Sequence, residues 1–262
     1  MQISLHEVEG QTLRVGIRRG EKARPPLLLF NGIGANIELV EPFLDALDGP
    51  EAIVFDVPGV GGSPSPWLPY RPSSLARLSA QLLDQLGHAQ VDVLGLSWGG
   101  ALAQQFAFQQ GKRCRRLVLA ATSPGHLMVP AKLTVLLKMA TPRRYKDSKY
   151  MERIAGDIYG GALRGSPELV HSYLRHVRWS SDYGYYLQLI ACFGWTSLPW
   201  LRLLAQPTLV IAGTDDPLVP VLNARILASV IPDARLMTIN DGHLFLVTSA
   251  GRAAAIIAEF LS

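Results

Sequence analysis

Val91-Asp92-Val93-Leu94-Gly95-Leu96-Ser97-Trp98-Gly99-Gly100-Ala101-Leu102-Ala103-Gln104-Gln105-Phe106 is the stretch on which the reading of this chain turns. Its first six residues are almost wholly apolar and short, the signature of a strand buried on both faces. From Trp98 to Gln109 the pattern predicts a helix. Between the two lies Gly95-Leu96-Ser97-Trp98-Gly99. A serine at such a strand-to-helix turn sits on strained backbone, and the flanking glycines let strand and helix approach, so its hydroxyl projects above the sheet. The helix begins at the serine, and its N-terminus favours developing negative charge. In a chain with 24 glycines a Gly-x-Ser-x-Gly also arises by chance, so the strand-turn-helix context is what gives the motif weight.

The same rhythm continues outward. Strands are predicted at Gln11–Arg18, Leu27–Phe30, Ala52–Phe55, Leu117–Ala120, Thr208–Ala212 and Arg235–Ile239. Helical spacing marks Ile37–Leu47, Ser73–Leu86, Leu222–Val230 and Ala253–Leu261. Leu75, Leu78, Leu82, Leu83 and Leu86 form one apolar stripe on the second of these. Apolar strands alternating with amphipathic helices predict an α/β fold, a mostly parallel sheet flanked by helices on both faces. Such sheets carry their sites at the carboxyl ends of the strands. The rhythm fails from Ser123 to about Leu203, where helical stretches, three tryptophans (Trp179, Trp195, Trp200) and no clear strand occur. This predicts residues 1–122 and 204–262 as the core and 123–203 as an inserted helical cap.

A serine hydroxyl needs a base. His243, in Asn240-Asp241-Gly242-His243, follows the strand ending at Ile239 and so falls at a strand's carboxyl end. The acid that orients it is expected after the preceding strand, in Gly213-Thr214-Asp215-Asp216-Pro217-Leu218-Val219-Pro220. Asp215 and Asp216 compete there, and the spacing Gly-x-x-Asp-x-x-x-Pro favours Asp216. An acid in this place holds the imidazole tautomer and stabilises the imidazolium. Two backbone N–H groups are expected to face the oxyanion: Trp98, next to the nucleophile, and Ile33, in the turn Asn31-Gly32-Ile33-Gly34. This chemistry needs no metal and no cofactor. The loop Asp56-Val57-Pro58-Gly59-Val60-Gly61-Gly62-Ser63 is expected to shape the rim of the site.

The formal net charge is +4. Lys112, Arg113, Arg115 and Arg116 form one basic group, and Arg143, Arg144, Lys146, Lys149 and Arg153 a second. Without a nucleic-acid-binding signature these are expected to be solvated faces, and no nucleic-acid partner is expected; the second group retains the capacity to attract an anionic surface. Cys114 and Cys192 lack metal-ligand spacing and are expected as reduced thiols. No leader-like segment and no apolar run approaching 18 residues is visible, so a soluble cytosolic protein without integral membrane association is expected. The apolar stretch with Leu127, Met128, Val129, Leu133, Val135, Leu136, Leu137 and Met139 is expected to be mostly the cap's own core, with an exposed remainder of interest.

Taken together, the serine elbow, Asn31-Gly32-x-Gly34, Asp56-x-Pro58-Gly59-x-Gly61, Gly213-x-x-Asp216-Pro217 and Asp241-Gly242-His243 resemble an α/β-hydrolase over nearly the whole chain. Phe30-Asn31-Gly32-Ile33-Gly34-Ala35-Asn36, Phe55 to Ser63, Ser97 to Phe106 and Asp241-Gly242-His243-Leu244-Phe245-Leu246 are similar to the intracellular depolymerases of medium-chain-length polyhydroxyalkanoates. Ile158-Tyr159-Gly160-Gly161 and Gly194-Trp195-Thr196-Ser197 carry the same likeness. Many α/β-hydrolases have His-Gly at the oxyanion turn; Asn31-Gly32 departs from them and agrees with the narrower family. The resemblance implies Ser97 as nucleophile, Asp216 as acid and His243 as base. It further implies hydrolysis of a stored polyester, at or near its granule, to 3-hydroxy acids or oligomers. Two rival readings stay open: a small-molecule carboxylesterase or carbon–carbon bond hydrolase on the same fold, and a non-catalytic ligand- or granule-binding protein. An epoxide hydrolase or dehalogenase would need aspartate where Ser97 stands. Oligomeric state is not legible at this level.

Overall fold

The computed structural model describes residues 1–21 and 23–262. Its strands are β1 (Gln2–Val8), β2 (Gln11–Arg18), β3 (Leu27–Phe30), β4 (Ala52–Phe55), β5 (Val91–Leu96), β6 (Cys114–Ala120), β7 (Thr208–Gly213) and β8 (Ala234–Ile239). They form one sheet in the order β1-β2-β4-β3-β5-β6-β7-β8. The β1–β2 and β2–β4 pairs are antiparallel, and every pair from β4 to β8 is parallel. The helices are α1 (Glu41–Ala46), α2 (Pro72–Gln85), α3 (Trp98–Gln109), α4 (Leu133–Met139), α5 (Arg143–Lys146), α6 (Ser148–Tyr159), α7 (Pro167–His176), α8 (Asp182–Cys192), α9 (Leu222–Val230), α10 (Phe245–Thr248) and α11 (Ala250–Leu261).

Each central strand feeds two cores. Leu28 and Phe30 of β3 point into a cluster with Leu75 and Leu82 of α2 and Phe106 of α3. Leu27 and Leu29 point the other way, to Phe43 of α1, Phe245 of α10 and Ile257 of α11. All four β3 residues are therefore buried, which is why the strand reads as an unbroken apolar run. Burying a side chain such as Phe106 fully contributes about 1.5–3 kcal/mol.

Two elements differ from expectation. Strand β1 is an edge strand, mostly solvent-facing, so its apolar residues give no buried run. Its signal is instead the tight turn Glu9-Gly10, with φ of 49° and 74°, the left-handed geometry of a two-residue hairpin. Ile37–Leu47 is not one helix: a 3₁₀ turn over Ile37–Val40 gives way to α1, because Pro42 starts a new helix where its missing N–H costs nothing.

From β6 to β7 the chain builds α4 to α8 and no ladder strand, and these helices have their own core around Tyr145, Met151, Ile158, Tyr173 and Tyr185. The apolar stretch before and within α4 is less buried than expected. Val135 and Met139 are interior, but Leu133 and Leu137 are 69% and 64% exposed, and Leu127 and Leu136 are exposed too. Helix α4 packs on α6 through its buried Val135 and Met139 face, and Leu133 and Leu137 stay largely in solvent. The basic groups also need correction. Arg113 pairs with Asp84, Arg115 with Asp92, and Arg116 binds carbonyls at the end of α11, so these three brace the fold and only Lys112 of that group is fully exposed. In the second group Arg144 is buried at 1% exposure, while Arg143, Lys146, Lys149 and Arg153 are exposed. No helix among the described residues is long and apolar enough to cross a membrane.

Candidate active site

Ser97 follows β5 and opens α3 with φ 54° and ψ −117°, a conformation non-glycine residues avoid. The glycines around it are needed for space. A Cβ on Gly99 would lie 2.2 Å from the Phe30 carbonyl oxygen, and one on Gly95 2.5 Å from the Ala103 Cβ. Thr122, just past β6, donates its hydroxyl to the Ser97 carbonyl at 2.7 Å and holds the turn from the side.

His243 and Asp216 meet Ser97 from the loops after β8 and β7. His243 Nε2 lies 2.9 Å from Ser97 Oγ, and Nδ1 lies 2.7 Å from Asp216 Oδ2. With Asp216 as carboxylate, Nδ1–H donates to it and Nε2 is left to accept the serine proton. The other Asp216 oxygen accepts the N–H groups of Leu218 and Val219 at 2.9 and 2.8 Å. His243 is 2% exposed. Its N–H donates to the Tyr159 carbonyl at 2.6 Å, and the Tyr159 ring lies parallel to the imidazole at 6.0 Å between centroids. Asp215 points away, to Arg164 at 2.6 Å and the Gly161 N–H. Arg164 therefore holds the Asp215 carboxyl below its usual range.

Asp241 braces the histidine loop. One carboxylate oxygen accepts from the N–H groups of Gly242 and Ala162, the other from the hydroxyls of Thr248 and Ser249. Burial alone would raise its pKa, but these donors outweigh burial and lower it.

The turn after β3 lies against Ser97: a Cβ on Gly32 would sit 3.7 Å from Ser97 Cβ. Asn31 shapes this turn, accepting from Gly32 N–H and donating to the Asn36 carbonyl, both at 2.9 Å. Ile33 and Trp98 both line the pocket above Ser97, and neither N–H has an acceptor among the described residues. Two residues that sequence reasoning missed hold this turn from outside. Buried Gln188 of α8 accepts from Gly34 N–H at 2.7 Å, while its carbonyl accepts the Trp98 indole N–H at 2.8 Å. Tyr145 donates its hydroxyl to the Ile33 carbonyl at 2.6 Å. A buried glutamine inside an apolar helix was the one available signal; its partners are 154 and 90 residues away in sequence.

Ser97 lines two adjoining cavities. One, of about 390 Å³, is apolar and lined by Trp98, Met128, Leu136, Leu189, Trp195 and Val219, among others. The other, of about 30 Å³, contains Ser97, His243 and the buried Arg144 among tyrosines. The loop Asp56–Ser63, expected at the rim, lines neither. It acts as a frame: Asp56 accepts from the N–H groups of Ile37 and Gly62 and pairs with Arg14, and the turn at Gly59 packs on Gly184 of α8. Both cysteines are free; Cys192 lines the apolar cavity, where burial pushes its thiol up to about 12 and keeps it unreactive.

Residues 25–250 match the family described as the alpha/beta hydrolase fold. A poly(3-hydroxyalkanoate) depolymerase of Ectopseudomonas oleovorans is 55% identical over 256 residues, covering 97% of this chain and 90% of that protein. A 3-oxoadipate enol-lactonase of Acinetobacter baylyi is 26% identical, over 86% of this chain and 84% of its own length. Among solved structures, the enol-lactonase of Burkholderia xenovorans LB400 superposes with a TM-score of 0.84 at 22% identity, covering 98% of this chain and 99% of the other. That likeness concerns the fold.

Proposed function

The chain belongs to the α/β-hydrolase family, and from that premise we propose that it is a serine hydrolase depolymerising polyhydroxyalkanoate with medium-length side chains. The observation that carries the chemistry is the unbroken hydrogen-bonded line from Ser97 through His243 to Asp216, at 2.9 and 2.7 Å. The substrate class rests on the 55% identity to a poly(3-hydroxyalkanoate) depolymerase, and the apolar 390 Å³ cavity suits an aliphatic side chain.

In this reading His243 takes the Ser97 proton as the hydroxyl attacks the ester carbonyl. The N–H groups of Trp98 and Ile33 receive the oxyanion; a donor of this kind contributes about 3 kcal/mol to the transition state. His243 then protonates the departing alcohol, and water cleaves the acyl-enzyme by the same route. Residues 123–203 act as a cap over Ser97. The exposed Leu127, Leu133, Leu137, Ile190 and Phe193 suit adsorption to a hydrophobic granule in the cytoplasm.

The test is clearing of a medium-chain polyhydroxyalkanoate emulsion beside hydrolysis of p-nitrophenyl esters, for the wild type and Ser97→Ala. The wild type should clear the emulsion, and the variant should fall by about 10⁴- to 10⁶-fold. Turnover of short soluble esters alone would make the protein a carboxylesterase and remove the polymer. Turnover of no ester would leave a binding protein.

A further inference from the structure

We propose that Arg144 forms a carboxylate-binding subsite beside Ser97, so that the protein acts on polyester ends and short oligomers bearing a free carboxylate and removes the terminal 3-hydroxy acid. The proposal rests on the ester-hydrolase reading above.

Arg144 is an unusual cation in this molecule. Arg14, a partly buried arginine, meets two carboxylates, Glu38 and Asp56, and Arg115 meets Asp92. Arg144 is more deeply buried and meets none among the described residues. Its Nε donates to Tyr159 Oη at 3.1 Å and one Nη to Tyr185 Oη at 2.7 Å. Its remaining contacts, to Tyr145 Oη and the Thr141 carbonyl, are both stretched to 3.5 Å. The faces of Tyr145 and Tyr185 add cation–π contact. Hydroxyl dipoles and rings return only part of what guanidinium loses on leaving water, and an apolar side chain would fill the space at less cost. The missing component is an anion.

The cavity offers a place for one. It holds Arg144, Ser97 and His243 together and contains no aspartate or glutamate in its lining. Its volume of about 30 Å³ has room for about two or three water-sized atoms, as the oxygens of a carboxylate require. A planar guanidinium with one N–H free of any contact and two more held only at 3.5 Å suits a carboxylate better than a point charge would. Ser97 also lines the large apolar cavity, which suits the acyl part of the chain.

At the acid end of a poly(3-hydroxyalkanoate), two carbons separate the carboxylate from the oxygen of the last ester. Both therefore fall in one site, the carboxylate at Arg144 and the ester carbonyl at Ser97. Attack by Ser97 Oγ forms the acyl-enzyme and breaks the bond to the terminal unit, which leaves as a 3-hydroxy acid with the proton from His243. Water then releases the shortened chain. That step creates a new free carboxylate on the shortened chain, which is again a substrate for Arg144, so cleavage repeats from the same end.

The experiment compares the dimer of 3-hydroxyoctanoate as its free acid and as its methyl ester, with p-nitrophenyl octanoate in parallel. The wild type should favour the free acid by about 10- to 100-fold in kcat/KM, expressed mainly in KM. The preference should vanish in Arg144→Gln and survive in part in Arg144→Lys. Equal rates for acid and methyl ester, with the p-nitrophenyl ester still hydrolysed, overturn the subsite and leave the serine hydrolase standing. A preference that persists in Arg144→Gln overturns it too. Because the wild-type ratio needs no variant, the test holds even where the buried substitution fails to fold. Turnover of no ester at all removes the hydrolase reading and the subsite together.

Discussion

Two neighbouring aspartates have opposite fates. Asp216 turns inward to His243 Nδ1 and is 7% exposed; Asp215 turns outward to Arg164. Asp216→Asn replaces an acceptor by an amide that can hold the wrong tautomer, so kcat should fall by about 10⁴-fold. Asp215→Asn breaks an exposed ion pair of little energetic weight, so kcat should stay within about threefold of the wild type. Steady-state kinetics on p-nitrophenyl octanoate separates them, and equal losses would sink the assignment of Asp216. The same side-chain logic explains Gly99: its missing Cβ is what allows α3 to start against the Phe30 carbonyl.

At the level of elements, α8 is the part that joins the helical stretch to the site. Its Gln188 holds Gly34 N–H on one side and the Trp98 indole on the other, so one helix touches both turns proposed to supply the oxyanion donors. Gln188→Ala frees the Gly34 N–H and loosens the turn that presents Ile33. Since the oxyanion exists only in the transition state, kcat should fall by about 10-fold or more while KM changes little. A rise in KM with kcat intact would mean that Gln188 shapes substrate binding instead. Helix α4 is the opposite case, with one buried face and a row of leucines facing solvent.

At the level of the whole molecule, Arg14 on β2 ties Glu38, before α1, to Asp56, after β4. Burial alone would raise the Glu38 carboxyl, but hydrogen bonds from Arg14 and Asn36 outweigh it and lower it to about 2. An unfolded glutamate titrates near about 4.3. Its folded value is the lower one, so its stabilisation is complete above the unfolded value and is lost as pH falls toward about 2. Burial pushes Asp56 up despite its donors. In urea unfolding, Glu38→Gln should therefore be less stable than the wild type at neutral pH. The gap should narrow from about pH 5 to about pH 3. A gap that is constant or widens with acid would show that Glu38 is not held ionised by Arg14 and Arg178, which both pair with its Oε1.

Much of this was legible along the chain because burial on both faces leaves a local mark. The β3, β4 and β5 runs, the stripe of α2 and the glycines around Ser97 are properties of short windows, set by the periodicity of each element. The sequence by itself determined the α/β-hydrolase architecture, the alternation of its central strands and helices from β2 to α3 and from β7 to α11, and Ser97, Asp216 and His243 as candidates. Only tertiary structure decided which aspartate faces the histidine, that Gln188 holds the turn after β3, that Arg144 is interior and that Leu133 and Leu137 of α4 are not. The reason is physical. A residue's place within its own helix is fixed by the residues a few positions away, but its burial depends on what packs above it. For Arg144 the side chains of Tyr159 and Tyr185, 15 and 41 residues on, supply that cover through their hydroxyls.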